Sequence, residues 1–317
     1  MRPSYVRFPP PLIRSRLMLE VASELVGNPD WKDTQVRIQF RPQGGDSWRF
    51  CMFGSDAASA VDTVAKHEAD IAIVNPGAVL AMARRGAGPF KEPLPVCALY
   101  VISQFDQLAF CVTEQTGLRS VKDIRDRRYP LRVSLRGQPD HSVHLLVNLV
   151  LEQLGFSLDD IVRWGGRISY DEGIPPYRMP AVESGDIDAI FDEGIPTFAD
   201  WAFRLGMRFL PIEEGALERL ESMGIPRAVI GRDEYPQLEA DVPSINFSGW
   251  PVFCLESLPD SAVRAFCAAL EKRHTLIPGW EQDHIDIAEG VQNTPAAPLT
   301  VPFHPAAEAY WRERGYT

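Results

Sequence analysis

Apolar residues along the chain fall into short runs whose spacing switches repeatedly between the periods of strand and helix. Leu12, Ile13, Leu17, Leu19, Val21, Ala22, Leu25 and Val26 approximate helical spacing and end at the Gly27 stop. Val36 to Phe40 alternates as a strand does, and the turn Gly44-Gly45-Asp46-Ser47 follows. Ala57 to His67 predicts a second helix, with Ala57, Ala60, Val61, Val64 and Ala65 on one face. Ala69 to Val74 is a continuous apolar run stopped by Asn75-Pro76-Gly77, the pattern of a buried strand. A short helix over Val79–Arg85 and a strand over Val96–Ile102 complete this first series, and a strand over Leu108–Val112 follows.

A second series begins with a helix over Ser120–Asp126, capped by Ser120 with Asp123 three residues on. Strands are predicted over Arg132–Leu135, Ile161–Trp164, Ile187–Phe191 and Phe209–Ile212. Between and after them lie helices over His141–Leu154, Ala181–Ser184, Thr197–Leu205 and Gly215–Met223. Gly173 to Pro176 interrupts the pattern, and Pro226 to Pro243 reads as loop with short elements. Then come a strand over Trp250–Leu255, a helix over Ser261–His274, the proline-rich Pro295–Pro305 and a last helix over Ala306–Arg314. Strands alternating with helices imply an α/β protein with mostly parallel sheets. Two such series imply two lobes, residues 1–105 with 244–317 and residues 106–243. The late strand near Trp250 must then complete a sheet begun earlier, so the chain crosses between lobes twice.

Composition narrows the function. The 317 residues are 45% hydrophobic and 24% charged, which is globular composition. A net charge of −11 argues against a nucleic-acid partner, because phosphate binding needs a basic face. It leaves room for a small anion at one local positive site. The longest apolar runs are too short to insert in a membrane as helices. Arg2, Arg7, Arg14 and Arg16 look like the basic start of an export signal, but Arg14, Arg16, Glu20 and Glu24 break the apolar stretch that should follow. Cys51, Cys97, Cys111, Cys254 and Cys267 are odd in number and show no CxxC spacing, which favours buried free thiols in a reducing compartment. The expectation is a cytoplasmic protein, or a periplasmic one whose export signal has been removed. His141 and His144 have no acidic or cysteine partner at a telling spacing, and no nucleotide-binding or nucleophile motif is present. Neither metal nor cofactor is expected.

Several segments, in order, resemble the TAXI-type solute-binding proteins of TRAP transporters, within the type II periplasmic-binding-protein fold. They are Gln43-Gly44-Gly45-Asp46-Ser47, His67-Glu68-Ala69-Asp70-Ile71-Ala72-Ile73-Val74, Gly117-Leu118-Arg119-Ser120-Val121-Lys122-Asp123-Ile124, and Glu183-Ser184-Gly185-Asp186-Ile187-Asp188-Ala189-Ile190-Phe191. Phe209-Leu210-Pro211-Ile212 and the closing Pro302 to Trp311 also look like that family. The sequence departs from it at Ser4–Pro11 and in the loop Arg136-Gly137-Gln138-Pro139-Asp140-His141-Ser142, and it carries extra sequence at Trp48–Gly54 and Gly173–Pro180. The resemblance implies a two-lobed α/β fold with a ligand cleft between the lobes, a small carboxylate-bearing ligand such as an organic acid or amino acid, and transporter subunits in a membrane as partners.

In such a fold the ligand meets strand C-termini and helix N-termini, whose free N–H groups suit a carboxylate. Gly44, Gly45, Asp46 and Ser47 then line one side, or form a plain tight turn. Asn75 follows a buried strand and offers an amide, or serves as a turn residue before Pro76. The loop with Arg136, Gly137, Gln138, His141 and Ser142 stands at a strand end before a helix, where Arg136 can grip a carboxylate in bidentate fashion. The competing reading there is a surface arginine beside an Asp140 N-cap. Asp192 and Glu193 can hold a ligand ammonium group, form a solvated turn, or make a salt bridge to Arg136 across the cleft. The alternative function is a cytoplasmic enzyme on the same scaffold, decarboxylase-like and acting on an aromatic carboxylate, with His141, Asp192 and Glu193 as acid–base groups.

Overall fold

Most of the apolar runs become strands of two five-stranded sheets in the computed structural model, which describes residues 21, 34–40, 48–55, 57–171, 173–272 and 286–317. The chain divides into two compact units, Met1–Lys32 and Asp33–Thr317, and both sheets belong to the second. The helix expected over Leu12–Gly27, Val21 apart, and the Gly44–Ser47 turn lie outside the described residues.

The first sheet contains β1 (Thr34–Phe40), β2 (Trp48–Gly54), β3 (Ile71–Ile73), β4 (Val96–Ile102) and β12 (Trp250–Leu255), in the order β1-β2-β3-β12-β4. Its helices are α1 (Ser59–Ala65), α2 (Gly77–Arg85), α9 (Asp260–Glu271) and α10 (Pro305–Glu313). Every residue of β4 is buried, as a strand covered on both faces requires. α2 ends where Gly86 adopts a left-handed conformation, φ 65°, and its N–H caps the last turn. α10 anchors the C-terminal segment through Trp311, fully buried, whose indole N–H donates to the Leu99 carbonyl at 2.9 Å.

The second sheet contains β5 (Ala109–Thr113), β6 (Arg132–Arg136), β7 (Arg167–Asp171), β8 (Ala189–Asp192) and β9 (Met207–Phe209), in the order β7-β6-β8-β5-β9. Around it lie α3 (Val121–Asp126), α4 (Ser142–Gln153), α5 (Leu158–Arg163), α6 (Pro175–Glu183), α7 (Ile195–Arg204) and α8 (Glu214–Met223). A separate hairpin is formed by β10 (Arg227–Ile230) and β11 (Val242–Ile245), within the stretch read as loop.

The sheets are mixed rather than mostly parallel. Among the described residues β2–β3, β6–β7 and β6–β8 pair in parallel. The pairs β1–β2, β3–β12, β4–β12, β5–β8 and β5–β9 are antiparallel. The cause is topological. Each sheet receives, antiparallel and between two of its own strands, the strand that has just crossed from the other: β5 after β4, and β12 after β11. This exchange is the connectivity of a two-lobed type II periplasmic-binding-protein fold. The two crossings run against each other, with Leu108 N–H donating to Ile245 O at 3.1 Å, Phe247 N–H to Asp106 O at 2.9 Å and Gly249 N–H to Gln104 O at 2.9 Å.

The segment Trp48–Gly54 forms β2, paired along its whole length with β1. Three local expectations need correction. Ile161 lies in α5, not in a strand, because Ser157 and Asp160 form a reciprocal capping box that starts a helix; the strand follows at β7. The interruption at Gly173–Pro176 is the start of α6, with prolines at its first positions, where a missing N–H costs nothing. The N-cap of α4 is His141, not Asp140, and its Nδ1 accepts the Val143 N–H.

One apolar core runs through both lobes, joining Val79, Leu80 and Phe253 to Phe110, Leu135 and Val147. The five cysteines are buried free thiols. Among the described residues no helix is long and apolar enough to cross a membrane.

Candidate functional site

β6 and β8 are parallel neighbours, so their C-terminal ends lie at the same edge of the sheet, and there they carry Arg136 and Asp192. Both side chains are buried, Arg136 at 4% exposure and Asp192 at 0%. Arg136 Nη2 donates to Asp192 Oδ1 at 2.9 Å and also to Glu193 Oε1. The salt bridge offered as an alternative therefore exists, but within the second lobe rather than across the cleft. Gly194, at φ 76°, then turns the chain into α7.

A second guanidinium comes from α6. Arg178, 2% exposed, donates through Nη2 to Asp192 Oδ2, so this one carboxylate sits between two arginines. Arg178 Nη1 reaches Ser134 Oγ at 3.4 Å, and that hydroxyl donates to Asp171 Oδ2 at 2.7 Å. Burial, and then the like charge of Arg136, lower the proton affinity of Arg178 to about 9, which leaves it charged at neutral pH. Arg136 Nε and Arg178 Nε are buried donors with no partner among the described residues.

His141 closes the cluster. Its Nδ1 accepts the Val143 N–H at 3.1 Å, so the proton of the neutral ring sits on Nε2. Nε2 is 3.8 Å from Glu193 Oε1 and 3.4 Å from Arg136 Nη1. The latter is N–H against N–H and satisfies neither group. Burial, then the charge of Arg136, hold His141 well below the usual imidazole range. A histidine neutral when folded but protonated when unfolded makes the folded state lose stability as pH falls below about 6.5, by at most about 1.4 kcal/mol per pH unit. His141→Asn keeps a capping acceptor without the titration. Thermal melts from about pH 7.5 to about pH 5 should show the wild type losing ground relative to this variant. A constant difference across that range would refute the assignment.

The remaining residues expected at the site are placed as follows. Gly137 N–H donates to Asp171 O at 2.7 Å and fastens the loop to β7. Gln138 O accepts from His144 Nε2 at 2.8 Å, while Gln138 Oε1 is buried without a partner among the described residues. Ser142, buried, opens α4. Asn75 lies in the first lobe, between β3 and α2, 5% exposed, its Oδ1 likewise unpartnered. The lobes meet at the cluster itself, where Ala57, just before α1, makes an antiparallel bridge with His141. Gly44, Gly45, Asp46 and Ser47 lie outside the described residues.

Sequence reasoning missed two members of the cluster. Arg178 was hidden because α6 starts with a Pro-Pro pair; reading those prolines as a helix start would have placed it one turn in. Asp106 lies in the first crossing at 2% exposure, and its Oδ2 accepts the Gly194 N–H at 2.7 Å. Its signal was a lone acid in the polar break between two apolar strands. As acid–base groups the cluster is poorly arranged, since both oxygens of Asp192 are held by guanidiniums and the lone pair of His141 by backbone. Among the described residues no group of three or more His, Cys, Asp or Glu side chains is placed to hold a metal.

No curated protein is significantly similar to the chain in sequence. Among solved structures it is similar to the periplasmic aliphatic sulphonate binding protein of Escherichia coli, at 14% identity and TM-score 0.34, over 68% of this chain and 57% of that chain. The chain thus spans little more than half of that protein's length. It is similar also to lactococcal OpuAC in its closed-liganded conformation with glycine betaine, at 14% identity and TM-score 0.38, over 82% of each chain. The glycine/betaine/L-proline-binding protein of Borrelia burgdorferi matches at 10% identity and TM-score 0.36, over 65% of this chain and 63% of that one. The family match is of another order: it runs from residue 54 to residue 315, through the second sheet, three of the first sheet's five strands, both crossings and the arginine cluster, and the chain belongs to the NMT1-like family.

Proposed function

We propose that the protein is a solute-binding receptor whose lobes, residues 1–105 with 244–317 and residues 106–243, close over a small carboxylate-bearing molecule, an organic acid or an amino acid. Arg136, with the N-terminus of α4, takes the carboxylate, and Gly137, Gln138, His141 and Ser142 shape that end. Asn75 faces it from the first lobe, where Gly44, Gly45, Asp46 and Ser47, outside the described residues, are the further candidates offered by the sequence, and Asp192 and Glu193 fix the guanidinium. The observation that carries this reading is the buried Arg136 Nε–H, a donor without a partner among the described residues, at a strand end beside a helix N-terminus. A buried donor left empty costs about 1–3 kcal/mol, so its persistence calls for an acceptor supplied from outside. The bridge from Ala57 to His141 supports closure at this point. The order of motifs along the chain supports a TAXI-like receptor that works in the periplasm and hands its ligand to the membrane subunits of a TRAP transporter.

The test is mass spectrometry of the molecule retained on purification, with thermal melts across a panel of mono- and dicarboxylic acids and amino acids. A cognate acid at a hundred times its Kd should add about 2.7 kcal/mol, a rise of roughly 4 °C for a chain of this size. A panel without any shift, together with an empty purified protein, would refute the reading.

A further inference from the structure

The crossing from β4 to β5 carries an unmet donor on the face of the second sheet where Arg136 stands. Gln107 lies in that crossing, 1% exposed, and its Nε2 is buried with no partner among the described residues. Register fixes the side of the sheet that it takes. Ala109 is paired with Asp192, so those two side chains share a face. The bridge between Gln107 and Asn246 keeps the chain extended ahead of Ala109. Alternation then puts Gln107 on the face of Ala109 and Leu108 on the other. Packing agrees, since Leu108 and Phe110 join the core that runs through both lobes, whereas Ala109 and Cys111 join the cluster with Met179 of α6. Along β6, Val133 and Leu135 belong to the shared core. That leaves Ser134 and Arg136 on the face covered by α6, where Arg178 meets both Ser134 and Asp192. β5 is antiparallel to β8, so the start of β5 lies at the edge where β8 ends. Three buried donors without partners among the described residues therefore gather on one face at one sheet edge: Gln107 Nε2, Arg136 Nε and Arg178 Nε.

Resting on the receptor reading above, we propose that Gln107 is a ligand-binding residue, whose amide N–H donates to the same acidic group that Arg136 and Arg178 meet. A carboxylate offers about four acceptor positions on its two oxygens, enough for these three N–H groups. A neutral donor has a particular use here. Asp192 and Glu193 already offset the two arginines, so an incoming anion must be held by hydrogen bonds as much as by charge. Gln107 supplies such a bond from a fixed backbone. Ser248 Oγ, from the returning crossing, accepts the N–H of the preceding Asp106 at 2.9 Å and donates to its carbonyl at 2.9 Å. The competing partner for the amide is a trapped water, which would be indifferent to the acid. A half-turn of the amide would offer an acceptor in place of the donor, and a carboxylate substituted at this position tells the two apart.

Gln107→Met keeps a side chain of similar length and removes both ends of the amide. Isothermal titration of the whole chain and of this variant with succinate, L-glutamate and benzoate, beside thermal melts of both without acid, tests the proposal. Without acid the variant should melt at or above the wild type, because it removes a buried donor that nothing in the protein satisfies. Its affinity for whichever of these acids binds should be lower by about 10- to 100-fold, the loss of one hydrogen bond to a charged group. Gln107→Glu sets a carboxylate against the acid and should weaken binding further. A methionine variant that melts below the wild type without acid would show that the amide is bonded within the protein. Unchanged affinity would assign the amide to water, and tight binding by Gln107→Glu would mean that the ligand donates there. Each of these results overturns the role of Gln107 and leaves the receptor standing. No binding of these acids or of the wider panel by the wild type overturns the receptor reading and the role of Gln107 with it.

Discussion

Alanine in place of Asp192 should destabilise the protein by about 3–5 kcal/mol, more than any other single change to the cluster. The carboxylate has no exposed surface and accepts from two guanidiniums that are themselves 4% and 2% exposed. Removing it leaves two positive charges side by side in the core, one of them with Glu193 as its remaining ionic partner among the described residues and the other with the Ser134 hydroxyl. The loss comes from desolvated charge without compensation, not from the intrinsic worth of an ion pair, which at a surface is under about 1 kcal/mol. A direct consequence is that adding Arg178→Met should recover part of the loss, because it removes one of the stranded charges. Urea unfolding of Asp192→Ala and of the double variant measures both. A loss below about 1 kcal/mol would mean that water reaches the cluster and that these arginines behave as surface groups.

What the sequence shows of this fold depends on how locally each element is determined. β4 and β12 were legible to the residue, since a buried strand needs only an unbroken apolar run, and Val96–Ile102 and Trp250–Leu255 are such runs. The helix after Ser120 was legible because its cap is written in two residues. The same signal at Ser157 and Asp160 was overlooked in favour of the apolar Ile161-Val162, which shows that a cap outranks a short apolar pair. Sheet direction was not legible at all. It is decided by where β5 and β12 insert after crossing, a property of the whole chain rather than of any window. The site divides the same way. Arg136, His141, Asp192 and Glu193 each follow a readable strand end or precede a readable helix, and the structure brings them together. Arg178 and Asp106 enter from a helix whose start was misread and from a crossing, so only the fold could add them.

If Arg136 takes a carboxylate as proposed, changes there separate binding from stability, and lysine is more informative than alanine. Arg136→Ala strips Asp192 of one of its two cations and Glu193 of its bonded one, so it should cost stability as well as binding. Arg136→Lys keeps a positive charge within reach of both carboxylates but offers a compact ammonium in place of a planar fork. It therefore has no counterpart of the buried Nε–H, which has no partner among the described residues. The expected loss of affinity for the retained ligand is about 2–5 kcal/mol, roughly 30-fold to several thousandfold, because a buried charge-assisted contact is removed while its surroundings stay desolvated. Stability should fall much less than in Arg136→Ala, as Asp192 still has Arg178. Calorimetric titration of the lysine variant with the molecule recovered from the purified protein, beside its urea unfolding curve, gives both quantities. A lysine variant that binds as tightly as the wild type would show that Arg136 serves only to neutralise Asp192 and Glu193, and the ligand's acidic group would have to be sought at the N-terminus of α4 alone.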